Sequence, residues 1–145
     1  PTANPGNPLK PLKDIASGGE LSRIMLAFKA VLADTDDIET LIFDEIDTGI
    51  SGRTAQKVAQ KLSVTAKNHQ VLCITHLPQI AAMADYNYLI EKSSDKNETK
   101  THVTNIKASA LIDELARLLG GSEITTAVLG TAKEMKELAD KFKNR

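Results

Sequence analysis

Thr40-Leu41-Ile42-Phe43-Asp44-Glu45 is a short apolar run that stops on two adjacent carboxylates, and its reading decides the fold. A run this short between polar flanks suits a strand buried on both faces, as in a parallel sheet. Downstream, Asp47-Thr48-Gly49-Ile50-Ser51-Gly52 supplies turn residues, with Ser51 placed as an N-cap. Ala55, Val58, Ala59 and Leu62 then lay one apolar stripe along a helix. A second buried-strand pattern, Val71-Leu72-Cys73-Ile74, ends at Thr75-His76. Strand, helix and strand in that order predict parallel pairing with helices covering the sheet. The class is α/β.

Upstream, Leu21, Ile24, Met25, Phe28, Val31 and Leu32 recur at helical spacing, starting just after Ala16-Ser17-Gly18-Gly19-Glu20. Before that turn lie Pro1, Pro5, Pro8 and Pro11, which mark an extended connection. Beyond His76, the segment 77–83 reads as a short helix. Stretches around 86–92 and 101–107 read as strands, and the polar linker 93–98 makes a hairpin the simplest connection. Leu111, Leu115, Leu118 and Leu119 form a helix stopped by Gly120-Gly121. A last amphipathic helix carries Val128, Ala132, Met135, Leu138 and Phe142. Its Lys133, Lys136, Lys141, Lys143 and Arg145 alternate with Glu134, Glu137 and Asp140, the pattern of a solvated face.

The chain has 145 residues, the size of one compact domain over 1–145, and needs no disulfide or metal to hold its core. Its 18 basic and 19 acidic side chains give a net charge of -1, which excludes an overall basic nucleic-acid glove. Aromatics at 3% exclude a base-stacking platform for single strands. One cysteine, Cys73, lies in an apolar run and reads as buried and inert. No apolar stretch approaches the ~20 residues of a membrane span and no basic-then-apolar leader opens the chain, so the expectation is a soluble cytoplasmic protein with no membrane partner. An opening without methionine, Pro1-Thr2-Ala3, suggests a processed protein or an excised piece.

Three places could carry chemistry. Ser17 and Glu20 have the spacing of a capping box, but two successive glycines each weaken a helix start by ~1 kcal/mol relative to alanine. Bare backbone N–H groups at the positive end of a helix would suit a close-approaching phosphate. Asp44-Glu45 could be an ordinary solvated loop start. Two carboxylates at the carboxyl edge of a buried parallel strand are also where α/β sheets place ligand chemistry, one holding Mg²⁺ through its water shell and the other polarising water. His76 could be a structural hydrogen-bonder, yet it falls at the same predicted sheet edge. His69 and His102 lack such a context and read as surface residues. The turn at 47–52 could be a simple cap, or a loop that reports the state of one site to another.

A Ser-Gly-Gly turn, a strand ending Asp-Glu and a strand ending in histidine, in that order, resemble the second half of an ABC-type ATPase head. Ile15-Ala16-Ser17-Gly18-Gly19-Glu20-Leu21-Ser22-Arg23, the run from Phe43 to Gly52, and Thr75-His76-Leu77-Pro78-Gln79-Ile80-Ala81 are similar to the SMC-like ATPases of bacterial DNA repair. The resemblance implies a carboxy-terminal half of an ABC/SMC-type P-loop ATPase head: a mainly parallel sheet flanked by helices, with a strand hairpin and carboxy-terminal helices. It implies ATP and Mg²⁺ as ligands and ATP hydrolysis coupled to engagement of two heads, in double-strand-break repair and recombination. Ser17, Gly18, Gly19 and Glu20 would be the signature motif, facing the γ-phosphate held by the opposite head. Asp44 would hold Mg²⁺ through water and Glu45 would act on the lytic water. His76 would be the switch histidine, and Thr48, Gly49, Ile50 and Ser51 the D-loop.

Alanine stands at 16 where leucine is usual, and Ser51 stands where many such ATPases have aspartate, so no catalytic role passes to Ser51. There is no Gly-Lys dipeptide, so the Walker A loop is missing. The implied partners are therefore an amino-terminal half-head carrying Walker A, a second head in a homodimer, and DNA. Two other readings stay open: the ATPase subunit of a membrane transporter, which uses the same motifs, and an interaction module that keeps the half-site without turnover.

Overall fold

The computed structural model describes residues 16–32, 38–95, 98–121 and 123–144. The proline-marked opening lies outside them. In chain order the elements are α1 Gly18–Leu32, β1 Thr40–Phe43, α2 Gly52–Thr65, β2 Gln70–Cys73, α3 Pro78–Met83, β3 Asn87–Asp95, β4 Glu98–Ile106, α4 Ala108–Gly120 and α5 Thr126–Lys143.

β1 and β2 pair in parallel with Leu41 opposite Val71 and Phe43 opposite Cys73, joined through α2 as the strand–helix–strand pattern predicts. Leu41 and Phe43 point into the core with Ala59, Leu62, Ile80 and Met83. Ile42 points the other way, 70% exposed, and its register partner Leu72 and the following Ile74 are exposed too. One face of the parallel pair is thus covered and the other is apolar and open. β3 and β4 form a separate antiparallel hairpin, Asn87 opposite Ile106 and Asp95 opposite Glu98. The strands run further into the polar 93–98 linker than the sequence pattern suggests, because the ladder continues through Ser94 and Thr99, whose hydroxyls lie 3.2 Å apart.

α4 ends at Gly121, whose positive φ of 68° and N–H bond to Arg117 O close the helix as expected of a glycine stop. α5 begins on Thr125, which accepts from Val128 N at 3.3 Å. Two of its lysines are not on a solvated face. Lys136 Nζ donates to Ala82 O at 3.3 Å, and Lys143 Nζ to Ala84 O at 3.4 Å and Asp85 at 2.9 Å. They satisfy carbonyls left over at the end of α3. Asp140 lies between them, 2.8 Å from Lys136 and 3.5 Å from Lys143. Burial opposes the Asp140 charge, but the bonds and charges of the two lysines outweigh it and hold its carboxyl below the usual carboxylate range.

Two outcomes go beyond or against the sequence pattern here. The apolar stripe of α1 does not face the core: Met25, Phe28 and Val31 are exposed, and Leu26 is buried in their place. α1 lies against α2 with its Leu26 side, so the stripe with the better helical spacing is left open to another surface. His69 is not a surface residue but 7% exposed, with Nδ1 2.7 Å from Ile38 O, where it closes the approach to β1. His102 is exposed, as read, and contacts Ser93 Oγ at 3.1 Å.

Candidate functional site

The parallel register sets where the chemistry falls. Phe43 and Cys73 are partners, and Ile74 N donates to Phe43 O at 3.1 Å, so both strands stop at one level. Asp44-Glu45 and Thr75-His76 therefore leave the same carboxyl edge side by side, as their places in the sequence imply. Glu45 takes a left-handed φ of 58°, its N–H donates to Asp44 Oδ1 at 2.9 Å, and Glu45 O accepts from Thr48 N at 3.0 Å. A non-glycine residue in that region costs ~1–3 kcal/mol and persists only where its surroundings over-determine it. Asp44 and Glu45 are both exposed.

Beneath this edge sits a residue that sequence reasoning passed over. Asp47 is 3% exposed, and its Oδ2 accepts from Thr75 Oγ1 at 2.6 Å and from His76 N at 2.8 Å. The same oxygen lies 3.0 Å from His76 Nδ1. Thr75 in turn accepts from Leu77 N at 3.0 Å, which completes the turn into α3. No pattern in the sequence separates Asp47 from the exposed Asp44 and Glu45 close by; its burial goes with the partners it finds in Thr75 and His76.

The start of α1 packs directly onto the same turn. Ser17 N and Oγ donate to Glu20 Oε2 at 2.9 and 3.0 Å, and Glu20 N donates to Ser17 Oγ at 3.4 Å. This is a closed capping box. The Ser17 backbone N–H, then its hydroxyl, hold the Glu20 carboxyl below its ordinary range. The box leaves the glycines unexplained, and packing explains Gly19, where a methyl group would come within 2.7 Å of Glu45 backbone O; at Gly18 it would meet only the movable Glu45 carboxylate. Ser22 Oγ donates to Asp44 O at 2.9 Å, while Arg23 Nη1 donates to Ile46 O at 3.0 Å and Thr48 O at 2.8 Å. Ser22 and Arg23 thus join the Ser17-Gly18-Gly19 turn to the carboxylate turn within one chain. Arg23 lies one helical turn beyond Gly19, a spacing that could have flagged it.

Thr48, Gly49, Ile50 and Ser51 form the stretch between that turn and α2. Gly49 has φ 74°, which admits glycine and strains other residues. Ser51 occupies the N-cap position with its carbonyl accepting from Thr54 and Ala55, but its hydroxyl makes no cap bond. Burial and two acids of this small region govern Cys73: burial first, then the charges of Asp47 and Asp44, push its thiol up to about 12, so it is no thiolate at neutral pH. The described residues hold no group of three potential metal ligands. Two adjacent exposed carboxylates nevertheless fit Mg²⁺, which is ordinarily held by one or two carboxylates together with substrate phosphates and water.

No protein-family model matches the chain. Curated relatives do. The chain is 45% identical over 142 residues to the DNA repair protein RecN of Halalkalibacterium halodurans, covering 98% of this chain and 25% of that protein. It is 45% identical over 142 residues to RecN of Bacillus subtilis, with the same shares, and 48% identical over 136 residues to RecN of Haemophilus influenzae, covering 94% of this chain and 24% of that one. The chain thus spans about a quarter of the length of the relatives it matches. A solved structure from work on ATP-driven dimerization and DNA-stimulated activation of SMC ATPases superposes with a TM-score of 0.52 at 23% identity, covering 81% of this chain and 70% of that one. It shows a shared fold, a parallel pair, a hairpin and closing helices, as expected of the half-head from the sequence. Identity at this level along nearly the whole chain makes it a member of the RecN family of DNA repair proteins.

Proposed function

We propose that the complete protein hydrolyses ATP on a head to which this chain contributes the carboxy-terminal lobe, and that it does so in the repair of DNA double-strand breaks in the cytoplasm, at the nucleoid. The observation that carries this reading is the single carboxyl edge shared by Asp44, Glu45 and His76, buttressed by the Ser17-Gly18-Gly19 turn. Asp44 would hold a hydrated Mg²⁺, which would supply charge neutralisation at the phosphates. Glu45 orients and polarises the lytic water, and His76 contacts the γ-phosphate. The turn at Ser17, Gly18, Gly19 and Glu20 presents the positive end of α1 to a phosphate on a second head, with Thr48, Gly49, Ile50 and Ser51 between the two heads.

The main phosphate cradle comes from the rest of the protein. In support, the outward face of the parallel pair, Ile42, Leu72 and Ile74, is apolar and exposed. A cleft of about 730 Å³ is lined by residues in and around β2 and β3, the exposed Leu72 and Ile74 among them. Among the described residues no helix is long and apolar enough to cross a membrane.

The test is Glu45→Gln in the complete protein. Glutamine keeps the shape and an oxygen but accepts no proton, so hydrolysis should fall ~10²–10⁴-fold while ATP binding persists. Equal turnover in mutant and wild type removes Glu45 from this role. A wild type that hydrolyses nothing with Mg²⁺ and DNA present leaves a non-hydrolysing interaction module.

A further inference from the structure

Asp47 is the one buried carboxylate among the described residues. Removing a carboxylate from water is costly unless hydrogen bonds and opposite charge compensate. Capping the turn into α3 would not require it, since serine, threonine or asparagine does that without a charge. What the carboxylate adds is its hold on the ring. Asp47 Oδ2 lies 3.0 Å from His76 Nδ1, on an imidazole that is 70% exposed. A carboxylate only accepts, so Nδ1 must carry the proton. Nε2, on the far side of the ring, is left to meet a ligand. In that tautomer Nε2 is an acceptor. It donates to a phosphate oxygen only when the ring takes a second proton, whose charge Asp47 would balance.

The anchor is itself held. Arg23 Nη1 grips Ile46 O and Thr48 O, the carbonyls on either side of Asp47. The chain of contacts therefore runs from α1 through Arg23 to the Asp47 segment and on to the His76 backbone and ring. We propose that Asp47 is the positioning residue for His76. It fixes the tautomer and orientation of the ring and ties it to the turn that carries Glu45, so that histidine and lytic carboxylate keep register when a phosphate arrives. This rests on the ATPase reading above, with His76 as its phosphate contact.

The experiment uses the complete protein with Asp47→Asn, His76→Ala and the double substitution, beside Glu45→Gln. Asparagine is nearly isosteric and its oxygen can still accept from Thr75 and from His76 N. For Asp47→Asn the expected result is a fall in kcat of about 10–100-fold, by analogy with the loss of an outer-shell partner of a metal-bound histidine. KM for ATP should change less than about threefold. The double substitution should be no slower than His76→Ala alone, because both act through one ring. Near-normal kcat in Asp47→Asn, or losses that multiply in the double substitution, overturns the proposal.

Thermal melting identifies a variant that has failed to fold. A second measurement does not depend on any variant: ¹⁵N-histidine spectra of the wild type report which ring nitrogen of His76 is protonated. Protonation at Nδ1 is expected, and a ring protonated only at Nε2 overturns the proposal. If the wild type is no faster than Glu45→Gln, the ATPase reading and the phosphate-facing role fall together. The ring spectra then still decide whether Asp47 orients His76.

Discussion

Gly18 and Gly19 are adjacent, yet a methyl group at each would strike a different kind of atom. At Gly18 it meets the carboxylate of Glu45, the far end of a flexible side chain; at Gly19 it meets Glu45 backbone O at 2.7 Å and Thr48 Cβ at 3.1 Å. Gly19→Ala should therefore destabilise by ~1–3 kcal/mol through overpacking against backbone that cannot yield. Gly18→Ala should leave stability unchanged or raise it by up to ~1 kcal/mol, the ordinary gain of alanine over glycine in a helix, while displacing Glu45. Urea titration of both variants, read beside ATPase rates of the complete protein, checks the pair: one loses stability, the other activity. Asp44, Glu45 and His76 were legible in the sequence because strand ends announce themselves by an abrupt change from apolar to polar. Asp47 was not, since its meaning depends on Thr75 and His76, 28 and 29 residues away, meeting it across a sheet edge.

Among the elements, the join between α5 and the end of α3 gives the clearest dependence on pH. The Asp140 carboxyl is held below its ordinary range in the folded chain, so its contribution is complete above the unfolded value of about 4 and disappears as the pH falls through the lower folded value. Because the side chain is 47% exposed, solvent screening limits the effect to ~0.5–1 kcal/mol. Asp140→Asn should be less stable than wild type by that amount at neutral pH and equal to it in strong acid, as urea unfolding at a series of pH values would read. The helices and strands themselves were legible from periodicity and from glycine and proline stops. Which face of α1 goes inward was not: Met25, Phe28 and Val31 have the better helical spacing, but spacing identifies an apolar face without saying what covers it. The same limit hid the burial of His69, which follows from a carbonyl 31 residues upstream.

At the scale of the whole molecule, the exposed apolar face predicts a contrast between this chain and the complete protein. Ile42→Asp should shift stability by no more than ~0.5 kcal/mol where Ile42 is exposed, and by several times that where the amino-terminal half covers it. Equal small effects in both would mean that this face stays open. A second contrast separates the capping box from a role between heads. Ser17→Arg should cost ~1 kcal/mol of stability as a lost cap. If the turn also faces a phosphate on another head, the variant should bind ATP yet fail to dimerise with it, as light scattering would show; normal ATP-driven dimerisation would leave Ser17 as a cap alone. The contacts from Ser22 and Arg23 have a mechanical corollary. They fasten α1 near its first turn, and its 15 residues extend about 22 Å from there. Leu26 seats the middle of α1 in the core as well, so the helix is a stiff arm held at its first turn and resting on that seat. A tilt of about 10° about Leu26, driven from the carboxylate turn, would move the exposed Phe28 and Val31 end by about 1.5 Å, carrying an adjustment around a phosphate to the opposite end of the helix.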